Sequence, residues 1–295
     1  MPLLRSNGIE LFYEDAGDSA DPVILLVMGL ATQLIAWPDE LVDRLVESGF
    51  RVIRFDNRDV GLSTHLDGAP AVNPLLALAA SRLRLPFPLA YTLTDMAADA
   101  IGLLDALGIV RAHVVGASMG GMIAQLMAAR WPARVASLTS IMSTSGAPGL
   151  PGPSARIRQR LLARRPDNPT RAEAVTAGGE ILRLISFPDP ARAADAFEDM
   201  AGRAFDRAYD PAGARRQLLA IIADGSRVAR LRAIRASTLL IHGRDDPLVP
   251  RAGSEDLARR IAHARLEIVP GMAHDLPPSI LPLIADLISG HVAAA

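Results

Sequence analysis

His113-Val114-Val115-Gly116-Ala117-Ser118-Met119-Gly120 is the stretch on which the fold turns. Its first three residues extend a short apolar run that reads as a buried strand. The residues from 119 to 130 carry a helical pattern that Pro132 stops. Between strand and helix lies the pattern G-x-S-x-G. The two glycines let the chain reverse sharply without side-chain clashes. The serine then projects above the strand, with the amino end of a helix beneath it, where free amides and the helix dipole favour a developing negative charge. The pentapeptide alone also fits an ordinary strand-to-helix turn. The flanking strand and helix supply the context of a nucleophile elbow.

Outward from the elbow, apolar runs of strand length occur at residues 9–13, 23–28, 51–55, 112–115, 135–141, 238–241 and 266–269. Bounded by Gly, Asp or Pro, they suit a mostly parallel sheet covered on both faces. Helical stretches alternate with them: 37–47, then 94–107 with Thr94 as its cap and Gly108 as its stop, then 119–130. This alternation predicts an α/β fold with a doubly wound sheet. It fails between residues 143 and 233. That stretch opens with Gly146-Ala147-Pro148-Gly149-Leu150-Pro151-Gly152-Pro153 and continues as three or four Arg/Ala/Glu-rich helices with no strand pattern. The expected organisation is a sheet domain of residues 1–142 and 234–295, with a helical cap of residues 143–233 inserted into it. A smaller insertion is expected from His65 to Tyr91.

A serine hydroxyl needs a base to become a nucleophile. Of the six histidines, His274 stands in Pro270-Gly271-Met272-Ala273-His274-Asp275, a turn after the last apolar run. Ligands meet such a sheet in the loops at its strands' carboxyl ends. His113 and His242 lie in or beside strands and read as structural. His263 and His291 read as solvated, and His65 is a lesser candidate for the site. The base needs a carboxylate to fix its tautomer. Gly243-Arg244-Asp245-Asp246-Pro247 offers two acids after the run 238–241. Asp246 precedes a proline, which holds it extended, whereas Asp245 is free to pair with Arg244 or cap the turn. The run 135–141 is followed by Met142-Ser143-Thr144-Ser145, with no acid. The set is therefore Ser118, Asp246 and His274. An oxyanion hole needs two backbone donors. The amides expected are those of Met119, after the serine, and Leu30, in the turn marked by Gly29. Gly29, Leu30, Met119, Met142 and Leu276 are the expected pocket residues, a mostly apolar set suited to uncharged substrates.

Composition removes other chemistries. Half of the 295 residues are hydrophobic, enough for one large core with a smaller attached unit. The net charge of −1 gives no basic excess for nucleic acid. There is no cysteine, so disulfides, thiolate metal sites and cysteine nucleophiles are absent. There is no lysine, which removes Schiff-base chemistry. No apolar stretch is long enough for a membrane span, and residues 1–7 carry no targeting pattern, so a cytoplasmic location is the expectation. No metal or organic cofactor is implied.

These motifs resemble those of the α/β-hydrolase fold serine esterases over nearly the whole chain. Asp56-Asn57-Arg58-Asp59-Val60-Gly61-Leu62-Ser63 is similar to that family's D-x-R-x-x-G-x-S loop, whose role is mainly to support the oxyanion turn. Val27-Met28-Gly29, Trp37-Pro38-Asp39-Glu40 and Pro270-Gly271-Met272-Ala273-His274 further resemble the aclacinomycin methylesterase branch. Many relatives have His-Gly where this chain has Met28-Gly29, a change that leaves the backbone donor but removes any side-chain role. The resemblance implies cleavage of a small-molecule carboxylic ester through an acyl-enzyme. A cofactor-free perhydrolase or a carbon–carbon bond hydrolase would use the same three residues. A ligand-binding protein with an idle triad is the rival from a different class.

Overall fold

Strands that are apolar on both faces demand cover on both sides, and the chain supplies it with helices. The computed structural model describes residues 3–69, 72–163, 166 and 168–295. In chain order it contains β1 (Leu3–Ser6), β2 (Ile9–Ala16), β3 (Val23–Val27), α1 (Asp39–Glu47), β4 (Arg51–Phe55), α2 (Pro74–Arg82) and α3 (Leu93–Ala106). Then follow β5 (Ala112–Ala117), α4 (Met119–Arg130), β6 (Val135–Ile141), α5 (Ala155–Leu162), α6 (Arg171–Ile185), α7 (Ala196–Arg207), α8 (Pro211–Asp224) and α9 (Val228–Leu231). The chain closes with β7 (Ser237–Gly243), α10 (Ala252–Arg260), β8 (Arg265–Val269) and α11 (Leu281–Ala293).

The eight strands form one sheet in the order β1-β2-β4-β3-β5-β6-β7-β8. The β1/β2 and β2/β4 pairs are antiparallel, and every later pair is parallel. Successive residues of a strand face opposite sides, and β3 divides accordingly. Leu25 and Val27 join Val114, Leu138 and Leu240 under α3 and α4. Ile24 and Leu26 join Val115, Ile141 and Ile241 under α1 and α11. A one-residue slip would exchange these faces. The parallel strands β3, β5, β6, β7 and β8 thus deliver the turns after Val27, Ala117, Ile141, Gly243 and Val269 to one edge of the sheet.

The structure departs from the sequence pattern at several points. β1 was not expected. It hairpins onto β2 through Asn7 (φ 48°) and Gly8 (φ 82°), the Asn-Gly pairing that a tight two-residue hairpin favours. The cap of α3 is Thr92, not Thr94: the Thr92 hydroxyl accepts the Asp95 N–H, and the Asp95 carboxylate accepts the Thr92 N–H. α1 begins at Asp39, because Pro38 takes the position before it and Trp37 ends a short 3-10 turn. Between β6 and β7 there are five helices among the described residues, not three or four, and the fifth, α9, is a single turn that packs Leu231 into the core beneath the sheet. The segment expected as a second insertion, His65 to Tyr91, contains α2; Pro70 and Ala71 within it lie outside the described residues.

Candidate active site

The elbow is built by close approach. A Cβ at Gly116 would collide with the Gly120 carbonyl, and one at Gly120 would collide with the Val27 carbonyl, so the strand, the turn and β3 meet backbone to backbone. Ser118 pays for this with φ 56° and ψ −117°, a region that side-chain-bearing residues rarely adopt. It occupies the N-cap position of α4, yet its hydroxyl caps nothing. A serine there ordinarily accepts an amide of the first turn; here Oγ faces the His274 Nε2 at 2.9 Å. The strained turn is held by the Ser118 N–H donating to the Ile141 carbonyl (2.9 Å) and by the Ser143 hydroxyl donating to the Ser118 carbonyl (2.8 Å).

The other two predicted side chains complete the line. His274 Nδ1 lies 2.7 Å from Asp246 Oδ2. Asp246 Oδ1 accepts the N–H groups of Leu248 (2.9 Å) and Val249 (2.8 Å), the turn that Pro247 opens. Asp246 and His274 are both buried. Burial by itself would raise the Asp246 carboxyl. It is outweighed by the charge of an imidazolium at His274 and by hydrogen bonds from His242 and His274, with the charge on His242 adding to them. Together they hold the carboxyl at about 2. Asp245 is exposed and its side chain has no partner among the described residues, so it neither pairs with Arg244 nor caps the turn. Only its backbone N–H is engaged, by the Met272 carbonyl.

Both proposed oxyanion donors flank the serine. Met119 is the first residue of α4, where an N–H has no intrahelical acceptor. Leu30 follows Gly29, and a Cβ on Gly29 would sit 3.2 Å from Ser118 Cβ and 3.7 Å from its Oγ. The Leu30 N–H has no acceptor among the described residues. Met142 is buried with φ 44° and packs into the cluster on the α1 and α11 side. Leu276 is half-buried against the same cluster, and Leu30 against the other.

The remaining histidines divide differently from the sequence reading. His113 bonds Ser137 Oγ at 2.8 Å within the sheet, as a structural residue does, and His263 is exposed. His291 is not solvated: α11 turns it inward, where its Nε2 lies 3.2 Å from the Ser237 carbonyl. His242 is buried, as expected, but it also touches the acid. Its Nε2 faces the Val249 carbonyl (2.7 Å) and Asp246 Oδ2 (3.3 Å), while Nδ1 faces Ser254 Oγ (2.7 Å). A carbonyl only accepts, so Nε2 carries a proton toward Val249.

His65 bridges two parts of the chain. Its Nδ1 meets Asp210 Oδ2 (2.8 Å) and its Nε2–H the Gly61 carbonyl (3.0 Å). Burial lowers its pKa, but the bonds to Asp210 and Gly61 and the charges of Asp210 and Asp59 raise it overall. Asp59, His65 and Asp210 bring ligand atoms within 4.8 Å of one another. The Arg216 guanidinium already answers both carboxylates, at 2.7 and 3.2 Å, so the group is an ion-pair network.

The Asp56–Ser63 loop does support the turn after β3. The Asn57 amide donates to the Met28 carbonyl (3.0 Å) and Asp56 Oδ1 accepts the Leu34 N–H (2.8 Å). The loop also ties down the helices between β6 and β7, through Asp56 to Arg207 (2.6 Å) and Asp59 to Arg216. On the opposite side, the His274 N–H donates to the Ile185 carbonyl at the end of α6 (3.0 Å), and Asp275 pairs with Arg192. These helices therefore grip the loops on both sides of Ser118.

A sheet of this order, with a serine elbow after β5 and an Asp and a His after β7 and β8, defines a class. The chain belongs to the α/β-hydrolase fold family, whose model it matches over residues 22–277. It is 30% identical to the rhodomycin D methylesterase DnrP of Streptomyces peucetius, over 99% of this chain and 98% of that enzyme. It is 32% identical to the putative carbamate hydrolase RutD of Variovorax paradoxus, with 90% of each covered. Among solved structures, a hydrolase from Pseudomonas aeruginosa PA01 superposes with a TM-score of 0.72 at 27% identity, over 99% of this chain and 97% of that one. The full-length match to a methylesterase agrees with the resemblance drawn from the motifs. No helix among the described residues is long and apolar enough to cross a membrane.

Proposed function

We propose that the chain is a serine esterase that cleaves carboxylic esters of uncharged small to medium molecules through an acyl-enzyme, and that methyl esters are among its substrates. One observation carries the reading: His274 stands between Ser118 Oγ (2.9 Å) and Asp246 (2.7 Å) at the amino end of a helix. In the first step His274 Nε2 takes the Ser118 proton as Oγ bonds to the ester carbonyl carbon. The negative charge moves to the carbonyl oxygen, where the Leu30 and Met119 amides receive it. Collapse of this adduct breaks the bond to the alkoxy group, which leaves as the alcohol with the proton from His274. Water then gives its proton to His274, attacks the acyl carbon and releases the acid, and Ser118 recovers its proton. Asp246 holds the imidazole with Nδ1 protonated and offsets the charge it gains.

Residues 143–233 act as the cap in this reading, and their helices bound the acyl and alcohol groups. The ion pairs and hydrogen bonds that join them to both flanks of the site support that role. The methyl ester enters from the full-length similarity to a rhodomycin D methylesterase. The test is a panel of p-nitrophenyl acyl esters of increasing length, run beside methyl esters of bulky aromatic acids. Turnover of the short acyl esters and at least one methyl ester is expected, with bulky substitutions on the inner face of α6 to α8 shifting the length preference. Absence of turnover across both sets would overturn the reading.

A further inference from the structure

Gln217 lies in α8, 186 residues along the chain from the turn it touches. Its side chain is fully buried. Oε1 accepts the Ala31 N–H at 2.7 Å, and Nε2 donates to the Arg58 carbonyl at 2.8 Å. Both partners are backbone groups, one a donor and one an acceptor, so the orientation of the amide is fixed by what it meets. Ala31 stands at φ 54°, in the left-handed region where a side-chain-bearing residue is uncommon. It directly follows Leu30, whose N–H has no acceptor among the described residues. The neighbouring Arg216 locks the same turn of α8 to Asp59. One buried amide thus pins the turn after β3 to the Asp56–Ser63 loop, and does so from a helix between β6 and β7.

We infer that Gln217 is a positioning residue for the oxyanion hole: by engaging Ala31 and Arg58 it holds the strained turn in which the Leu30 N–H remains open to the substrate's developing negative charge. The inference rests on the serine-esterase reading and adds to it that the helices above the site set the rate of the chemistry as well as the size of the substrate. Loss of the clamp lets Ala31 relax and moves the Leu30 donor. Such a donor is worth about 10²–10³-fold in kcat when removed outright. A displaced donor costs less, about 10- to 100-fold.

Two variants test this. Gln217→Met keeps the volume and removes both bonds. It is expected to lower kcat about 10- to 100-fold, with KM changed less than about 3-fold, because the oxyanion exists only along the reaction path. Affinity for an alkyl boronic acid, which forms a tetrahedral adduct on the serine, falls by a similar factor. Gln217→Glu offers the same acceptor and donor while its carboxyl is protonated, but sets a charged oxygen against the Arg58 carbonyl once ionised. Its kcat therefore declines with rising pH where the wild type's does not. This variant also serves as the test if Gln217→Met does not fold. A folded Gln217→Met with kcat and boronate affinity within about 3-fold of wild type overturns the inference, as does Gln217→Glu with a wild-type pH profile. If turnover in the wild type does not depend on Ser118, the esterase reading itself fails. If it depends on Ser118 and not on Gln217, only the positioning role fails.

Discussion

Asp246→Asn separates the two adjacent acids and tests the geometry in detail. Asp246 Oδ1 accepts two backbone N–H groups, from Leu248 and Val249, and Oδ2 faces His274 Nδ1 at 2.7 Å. An asparagine must place its carbonyl oxygen toward the two backbone donors, since its NH₂ cannot accept them. The NH₂ then faces His274 and requires Nδ1 to be the unprotonated nitrogen. That tautomer puts a proton on Nε2, 2.9 Å from Ser118, where a base is needed. The wrong tautomer in such a triad costs about 10⁴ in kcat, which is about 5 kcal/mol of transition-state stabilisation. Asp245→Asn, at an exposed side chain, is expected to stay within about 3-fold of wild type. The assay is p-nitrophenyl butyrate hydrolysis with kcat and KM separated. The substitution also has a signature in stability. The folded carboxyl is held at about 2, below the ~3.9 of an unfolded aspartate. Its stabilisation, on the order of 2–3 kcal/mol, is therefore complete above about pH 4 and is lost as the pH falls through about 2. Asp246→Asn should flatten that part of the stability profile. A loss of less than about 10-fold in kcat, or a larger loss for Asp245→Asn, refutes the assignment of the acid.

Other consequences follow from the same packing. Gly120→Ala pushes a methyl group into the Val27 and Met28 carbonyls, which belong to backbone and cannot rotate away; destabilisation of about 3 kcal/mol or more is expected by urea titration, and wild-type stability would contradict the backbone-to-backbone elbow. His65 has its pKa raised in the folded chain, by Asp210, Gly61 and Asp59 acting against burial, so its contribution is complete below an unfolded histidine's ~6.5 and fades as the pH rises through the folded value. The difference in melting temperature between wild type and His65→Gln should accordingly be larger at pH 6 than at pH 9, and a difference independent of pH would remove the charged pair with Asp210.

The elbow was legible because its chemistry is local: strand, glycine, serine, glycine and helix are consecutive. Asp246 could be singled out as a candidate through Pro247 and His274 through the turn at Gly271, each following a recognisable apolar run. Asn7-Gly8 carried a legible hairpin signal as well, but the four residues of β1 are too short to show alternation. His291 lies one turn beyond Ile288 and two beyond Ile284 on the inner face of α11, a spacing that points inward although the residue type suggests water. His242 lies on a strand and Asp246 in the loop after it, so the four-residue interval between them carried no sign of their contact. The grip of the helices on the site left no trace either. Asp59 and Arg216 are 157 residues apart and Gln33 reaches Ala204 across 171. Pairs of that kind obey no periodicity, so the partner of each charge emerges only when the sheet and its helices are assembled.

Covalent acylation of Ser118 is the step on which the proposed esterase mechanism depends. Incubation with an alkyl fluorophosphonate, followed by intact-mass measurement and peptide mapping, tests it most directly. One phosphonyl group per chain, on the peptide containing Ser118, is predicted, with no adduct and almost no ester turnover in Ser118→Ala. An unlabelled wild type, an adduct on another residue, or a Ser118→Ala variant that keeps more than about a tenth of wild-type turnover would contradict the account.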